Sequence, residues 1–495
     1  MHGRLKVRTT EEERERKKKE QALKVKAYKA ATTKISAKRQ NQEYDDEMLA
    51  YTTPILQRNP DVSTLWNIRR ECILAKVKKI KEEEVTPEKE AIQEEHILQV
   101  FETEMSLTEQ CLLVNPKSYN IWHHRMWLLE QSPKANWQRE VMLCNKYLKM
   151  DERNFHTWDY KRYVVEKAQV PKEEELDFCT EKIKVNFSNY SSWHHRSLLL
   201  PALYPYEGDA KPKRPMSEEK LKEELEMVLT AAFTDPYDSS AWFYQRWLLG
   251  YSQPELAACA FRCSKDKTVL SFTKLTTKED LKVVLTGDGG KTLEITDFLT
   301  LNNQVSDTIF YSKNPVEDPS MYQNLEVSSK ALTSITLPLS KYNDDAYYFH
   351  ALEASTTYTP DVLDQLKSQL ESCESLLEYE PDSKWCLLTS ALLMRAIDCQ
   401  EYHDKTMEYL KKLQKVDSLR ENYYKDLASK WILQKALIQW SKTDGEHMLK
   451  SIDLSQEEQL TCLTDKQYLI VADEIILSKE LTKRYEGGLK SFSNI

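Results

Sequence analysis

The chain has 495 residues, with 70 basic and 79 acidic side chains and a net charge of −9, a balance that argues against a general nucleic-acid binder. It has only nine glycines, none between Arg4 and Glu207, which excludes a Gly-rich phosphate loop from that stretch. Its ten cysteines include no C-x-x-C pair, its start is charged and no apolar run approaches the ~18 residues of a membrane span, so a soluble protein of the reducing cytoplasm is expected, with no membrane insertion.

In chain order, residues 8–40 form a charge run that predicts a solvated helix. Residues 1–250 then carry one phrase five times: "NPDVSTLWNIRR", "NPKSYNIWHHR", "DERNFHTWDYKR", "NFSNYSSWHHR" and "DPYDSSAWFYQR". Residues 251–343 change to β-rich runs around Gly-rich turns, with a hairpin expected between Val283 and Ile295 that turns at Gly287–Gly290. Helical patterning returns over 344–446. From 447 to 495 a leucine-rich pattern begins, with Leu449, Ile452, Leu454 and Leu460, then Ile475, Leu477 and Leu481. Such repeats need several units to bury a core, so residues 448–495 are expected to be poorly ordered. The β-rich region interrupts the helices as an insertion with adjacent ends, the geometry of a segment that tolerates deletion.

Asn115 followed by Pro116 predicts a helix beginning at Pro116, with the Asn side chain as its cap. Trp122, Met126 and Leu129 then fall on one apolar stripe. The tryptophans Trp66, Trp122, Trp158, Trp193 and Trp242 are 56, 36, 35 and 49 residues apart, and a unit of about 35 residues fits a helix pair of a stacked α-α array. An arginine follows each tryptophan, at three residues for Arg125 and Arg196 and at four for Arg162 and Arg246. Features present in every copy are read as what stacks the copies.

Function is sought where the copies differ. Five residues before the tryptophan stand Asp61, Lys117, Arg153, Ser188 and Tyr237; two before it stand Thr64, Asn120, His156, Ser191 and Ser240. Only the second and third copies are basic at the first position. Lys117, Arg153 and His156 are therefore expected in the first turns of neighbouring helices, where the dipole and free N–H groups attract anions. A phosphate or diphosphate site follows from that pattern.

The phrase N-P-x-x-Y-x-x-W-x-x-R resembles the repeats of protein prenyltransferase alpha subunits. The opening "MHGRLKVRT", the β-rich insert after "AWFYQRWLLG" and "EPDSKWCLLT" resemble the branch of that family that acts on Rab GTPases. The resemblance implies a mainly α fold, an α-α superhelix with an inserted immunoglobulin-like β-sandwich and a leucine-rich-repeat-like C-terminal remnant. It implies an obligate heterodimer, in which a β subunit holds a catalytic zinc and most of the isoprenoid pocket, and activity only with that β subunit. The implied reaction transfers geranylgeranyl from geranylgeranyl diphosphate to C-terminal cysteines of Rab GTPases presented by a Rab escort protein. The family motif matches Lys117, Tyr119, Asn154 and His156, placing them near the diphosphate; Arg153 is added by its column alone. His2, in the family-like "MHGR", is a candidate ligand for the partner's zinc. Two other readings are kept open: a non-catalytic helical-repeat scaffold, and the alpha subunit shared by farnesyltransferase and geranylgeranyltransferase type I.

Overall fold

The computed structural model describes residues 10–82, 90–208, 216–249, 256–278, 281–300, 304–330, 332–342, 344–350, 358–441 and 452–485. The chain divides into two compact units, Met1–Arg196 and Ser197–Ile495.

In the first unit the charge run forms helix α1 (Glu11–Gln40), with Thr10 capping its start and three glutamates in its first turn. These acids oppose the positive end of the helix dipole. Ile35 alone among its residues is buried, as a solvated helix requires. Lys38 fastens its last turn to the start of α2 (Asp46–Leu56), 2.8 Å from both the capping Asp45 and Glu47 of its first turn. The remaining helices are α3 (Ser63–Glu82), α4 (Glu90–Val114), α5 (Tyr119–Gln131), α6 (Trp137–Met150), α7 (Phe155–Lys167), α8 (Lys172–Val185) and α9, which begins at Tyr190 and ends at Leu203.

The repeated phrase starts its helix later than expected. Asn115 Oδ1 accepts a hydrogen bond from the Lys117 amide at 3.1 Å, and the Ser118 amide donates to the Asn115 carbonyl at 3.3 Å. The side chain thus closes a turn two residues on, a competing use of Asn that postpones the helix to Tyr119. Equivalent bonds join Asn59 to the Asp61 amide, Asp151 to that of Arg153, Asn186 to that of Ser188 and Asp235 to that of Tyr237. Lys117 and Arg153 accordingly lie in the turn before the helix and not in its first turn.

Each tryptophan locks this turn. The Trp66, Trp122, Trp158, Trp193 and Trp242 indole N–H groups donate to the carbonyl six residues back, at 2.8–3.1 Å. All five are buried. The basic column stands three residues after each tryptophan and tolerates substitution: Arg69, Arg125, Lys161, Arg196 and Gln245. Arg162 and Arg246, at four, are outside it. Buried glutamates from the other helix of each pair complete the column. Glu104 accepts from Arg69 at 2.7 and 2.5 Å and bonds His124 Nε2 at 2.9 Å. Glu140 accepts from Arg125 at 2.6 and 2.7 Å and from Tyr160 at 2.7 Å. Glu175 accepts from Lys161 at 2.5 Å and lies 3.1 Å from His195 Nε2. Burial alone would raise the Glu104 carboxyl, but its bonds to Arg69 and His124 outweigh that and hold it down to about 2.

In the second unit α10 (Glu218–Thr234) and α11 (Ser239–Leu248) repeat the pattern, with Tyr244 donating to Glu224 at 2.7 Å. Ten strands follow: β1 (Ala258–Cys263), β2 (Thr268–Thr277), β3 (Lys282–Gly287), β4 (Thr292–Ile295), β5 (Leu299–Thr300), β6 (Ser306–Ser312), β7 (Tyr322–Ser329), β8 (Leu332–Pro338), β9 (Ser340–Tyr342) and β10 (Asp345–Phe349). They form antiparallel sheets of order β5-β6-β2-β1-β10-β9 and β4-β3-β7-β8. The hairpin forms as expected, with Val283 opposite Ile295. Its turn needs glycine at Gly289 and Gly290, whose φ values are +71° and +78°. Asp345–Phe349 pairs with β1, so the β region passes the expected boundary at 343; "DAYYF" alternates like a strand and completes the sheet.

The six-stranded sheet is buried on both faces, by strand alternation. Phe261, Leu270, Phe272 and Phe310 pack toward the four-stranded sheet with Val283, Leu285, Leu325 and Val327. Ala260, Val269, Ile309, Tyr347 and Phe349 face the opposite way, into a core with α13 (Lys384–Ile397), α14 (His403–Val416), α15 (Glu421–Ser441) and the C-terminal segment. Preceding these is α12 (Pro360–Tyr379). The C-terminal segment places β11 (Ile452–Asp453) parallel to β12 (Ile475–Ile476). Its Ile452, Leu454, Leu460, Leu469, Val471, Leu477 and Leu481 are buried. The expectation of poor order is corrected for residues 452–485, which share the core of the helices and the sheet; the rest of 448–495 lies outside the described residues.

Candidate functional site

The turn before α5 and the turn before α7 are tied together. Asn154, the N-cap of α7, accepts from the His156 amide through Oδ1 at 3.2 Å, while its Nδ2 donates to the Pro116 carbonyl at 3.0 Å. Asn154 therefore fixes one repeat's helix start against the preceding repeat's turn. His156 is buried, with the Tyr119 ring edge-on at 4.2 Å and the Phe155 ring at 4.0 Å. Burial, offset by Asp159 and reinforced by the nearby Lys117 charge, lowers the His156 pKa and keeps the ring neutral. Its Nδ1 is buried without a hydrogen-bond partner.

Lys117 and Tyr119 are open to solvent, Tyr119 at 67% of its full exposure. Lys117 Nζ lies 3.0 Å from Asp151 Oδ2, and Asp151 uses its other oxygen to close the turn at Arg153. Arg153 is exposed, with no side-chain ion pair or hydrogen bond among the described residues. The expected residues thus converge: Lys117, Tyr119, Asn154 and His156 occupy one patch made by two consecutive repeats, with Arg153 on its rim. The arrangement offers an exposed ammonium, a phenol and an uncommitted guanidinium, the donor set that stabilises an anion.

Sequence reasoning missed Asp151 as the partner of Lys117, and it missed the buried glutamates. A signal for the latter was present: Glu104, Glu140, Glu175 and Glu224 each stand eighteen residues before a tryptophan of the repeat. His2 lies outside the described residues. Among the described residues no cluster of three or more His, Cys, Asp or Glu side chains is arranged to hold a metal ion, and no helix is long and apolar enough to cross a membrane.

Residues 101–132, 137–168, 172–203 and 221–252 match the protein prenyltransferase alpha subunit repeat. The chain is 38% identical over 506 residues to the geranylgeranyl transferase type-2 subunit alpha of Bos taurus, covering 97% of this chain and 83% of that protein. The Homo sapiens subunit of the same name is 38% identical over 505 residues, with the same coverage. That of Schizosaccharomyces pombe is 34% identical over 261 residues, 51% of this chain and 72% of that protein. Relatives of the type-2 name along nearly the whole chain overturn the alternative of the alpha subunit shared by farnesyltransferase and geranylgeranyltransferase type I. The chain belongs to the family of geranylgeranyl transferase type-2 alpha subunits.

Proposed function

We propose that this chain is the alpha subunit of a heterodimeric protein geranylgeranyltransferase that modifies C-terminal cysteines of Rab GTPases presented by an escort protein. The observation that carries this reading at the level of chemistry is the meeting of Lys117, Tyr119, Asn154 and His156 across two repeats. In this reading the β subunit brings the isoprenoid pocket and a zinc ion, which would hold the acceptor cysteine of the Rab tail as the thiolate nucleophile. This chain's part is at the leaving group. As the carbon–oxygen bond to diphosphate breaks, negative charge gathers on the phosphate oxygens, and Lys117 and the Tyr119 hydroxyl stabilise it from fixed positions. Arg153 adds charge from the rim. Asn154 and His156 hold the turn and the Tyr119 ring in place.

The two-sheet region is read as immunoglobulin-like, on the strength of its two antiparallel sheets and shared core. Residues 452–485 are read as the opening of a leucine-rich repeat; parallel pairing of Ile452 with Ile475, within one repeat period of 20–29 residues, supports this. Co-expression with candidate β subunits, followed by transfer assays on a Rab–escort complex, tests the function. Transfer is expected only from the heterodimer with the type-2 β subunit. Activity of the purified chain alone would refute the subunit reading.

A further inference from the structure

The position four residues after the tryptophan carries arginine in alternate copies: Arg70, Arg162 and Arg246. Their surroundings differ. Arg162 is paired within its own helix with Asp159. Arg246 donates to the Tyr423 hydroxyl. Arg70 meets no carboxylate among the described residues. Its Nε donates to His124 Nδ1 at 3.3 Å and its Nη2 to His123 Nδ1 at 2.9 Å, and its guanidinium lies 5.3 Å from the centre of the Trp127 ring. Glu104, the buried acid that bonds the other nitrogen of His124, is committed to Arg69 and to the Nε2–H of His124. Because Arg70 donates to Nδ1, the His124 proton resides on Nε2 and the ring is neutral, in keeping with its lowered pKa from burial.

Arg70 is therefore a half-buried cation held by neutral rings. Burial lowers its pKa, with no opposing acid to restore it. A desolvated charge without a counter-ion is a cost to this chain by itself. The two imidazoles and the indole fix the guanidinium plane, and its Nη1 has no acceptor among the described residues. A fixed guanidinium with a free Nη edge matches a carboxylate through paired N–H···O bonds. His123 stands one helical turn after Tyr119 on α5, and both are exposed, so the Arg70 platform continues the face on which the proposed site lies.

We propose that Arg70, steadied by His123, His124 and Trp127, is the receptor for an acidic side chain of the β subunit, an ion pair that completes only on assembly. The proposal rests on the heterodimer reading above. Such a pair accelerates encounter and resists dissociation more than it adds area.

The test uses co-expressed complexes of full-length chains. Pairing of the wild-type chain with the type-2 β subunit is measured first, and its failure would sink the heterodimer reading itself. Given that pairing, Arg70→Gln is expected to raise the heterodimer Kd about tenfold at low salt and to flatten its salt dependence, with Arg70→Lys recovering part of both. The free Arg70→Gln chain should melt at or above the wild-type temperature, because an unpaired buried charge has been removed. An unchanged Kd and salt slope in Arg70→Gln overturns the proposal. So does a lower melting temperature of the free variant, which assigns Arg70 to the fold. Weaker binding of geranylgeranyl diphosphate by an Arg70→Gln complex that assembles normally overturns it too, and assigns Arg70 to a phosphate.

Discussion

Lys117 Nζ and Asp151 Oδ2 stand 3.0 Å apart across consecutive repeats, so the cation assigned to the departing diphosphate rests on a carboxylate of its neighbour. The side chains keep 60% and 40% of their exposure, and such a surface pair is worth little, about 0–1 kcal/mol. An incoming diphosphate, with more charge than one carboxylate, is expected to outcompete it. Lys117→Ala is expected to slow the chemical step roughly 10–100-fold in single-turnover transfer while assembly and melting stay normal. A variant that transfers at the wild-type rate would leave Lys117 as an ordinary surface charge. Arg153→Ala, on the rim, should cost less.

Asp151→Asn makes the converse change. Three other copies close the same turn with asparagine, at Asn59, Asn115 and Asn186, so the turn should survive. Lys117 is freed and one negative charge leaves the patch. Geranylgeranyl diphosphate should bind the heterodimer a few-fold more tightly, and the gain should vanish in a Lys117→Ala background. Equal affinity for wild type and Asp151→Asn, measured by titration, would show that the pair has no influence on the site.

Much of this arrangement was legible in the sequence. The tryptophan spacing gave the repeat, and the odd basic pair in copies two and three pointed to Lys117 and Arg153. What could not be read is where chemistry substitutes for identity. Lys161 and Gln245 stand in the arginine column, and looking for arginine alone shifted the column to Arg162 and Arg246. Asn115 could cap a helix at once or close a turn first, and only the packing of Trp122 on the Pro116 carbonyl decides between them. The buried core around the C-terminal segment was illegible for another reason: its partners are Phe349 and Trp431, distant in sequence.

Trp122→Ala should act through folding. The indole is buried against Tyr147 and Tyr160 and its N–H locks the turn that carries Lys117. Truncation should cost about 3–5 kcal/mol. Loss of transfer in this variant should track loss of folded protein in a melting curve. Full stability together with lost transfer would move Trp122 from the fold to the site.

Glu104 gives the first unit an acid limit. Its folded pKa of about 2 lies below the ordinary 4.5, so the unfolded chain binds more protons between those values. Its contribution, on the order of 3 kcal/mol, is complete above the unfolded value and is lost as the pH falls from about 4.5 through about 2. Glu104→Gln should flatten that acid limb. At neutral pH it should also destabilise by about 3–5 kcal/mol, because Arg69 keeps its buried charge without its partner. Unchanged acid unfolding of the variant would show that other carboxylates set the limit.

Removal of the β region tests whether an insertion with adjacent ends is also an independent one. The ends do meet: the His350 amide donates to the Cys259 carbonyl at 2.9 Å, so a short linker can bridge the gap. The candidate site lies wholly within the first unit, and transfer per assembled heterodimer is expected to persist. Stability is another matter. Arg262 reaches Asp473 at 2.7 Å and the Val471 carbonyl at 3.1 Å, and Ser271 donates to the Gln467 carbonyl at 2.7 Å. Deleting the sheet would strip these bonds and expose Leu469 and Val471, which are now buried. The deletion should therefore melt at a lower temperature and aggregate, and removing residues 452–485 as well should not recover solubility, because it uncovers Leu410, Trp431 and Leu433 of the helices that share this core. Thermal melting and light scattering on both deletions decide the matter: a single deletion that melts like wild type would mean the sheet is an appendage, and loss of transfer from a correctly assembled single deletion would mean that the β region serves the reaction itself.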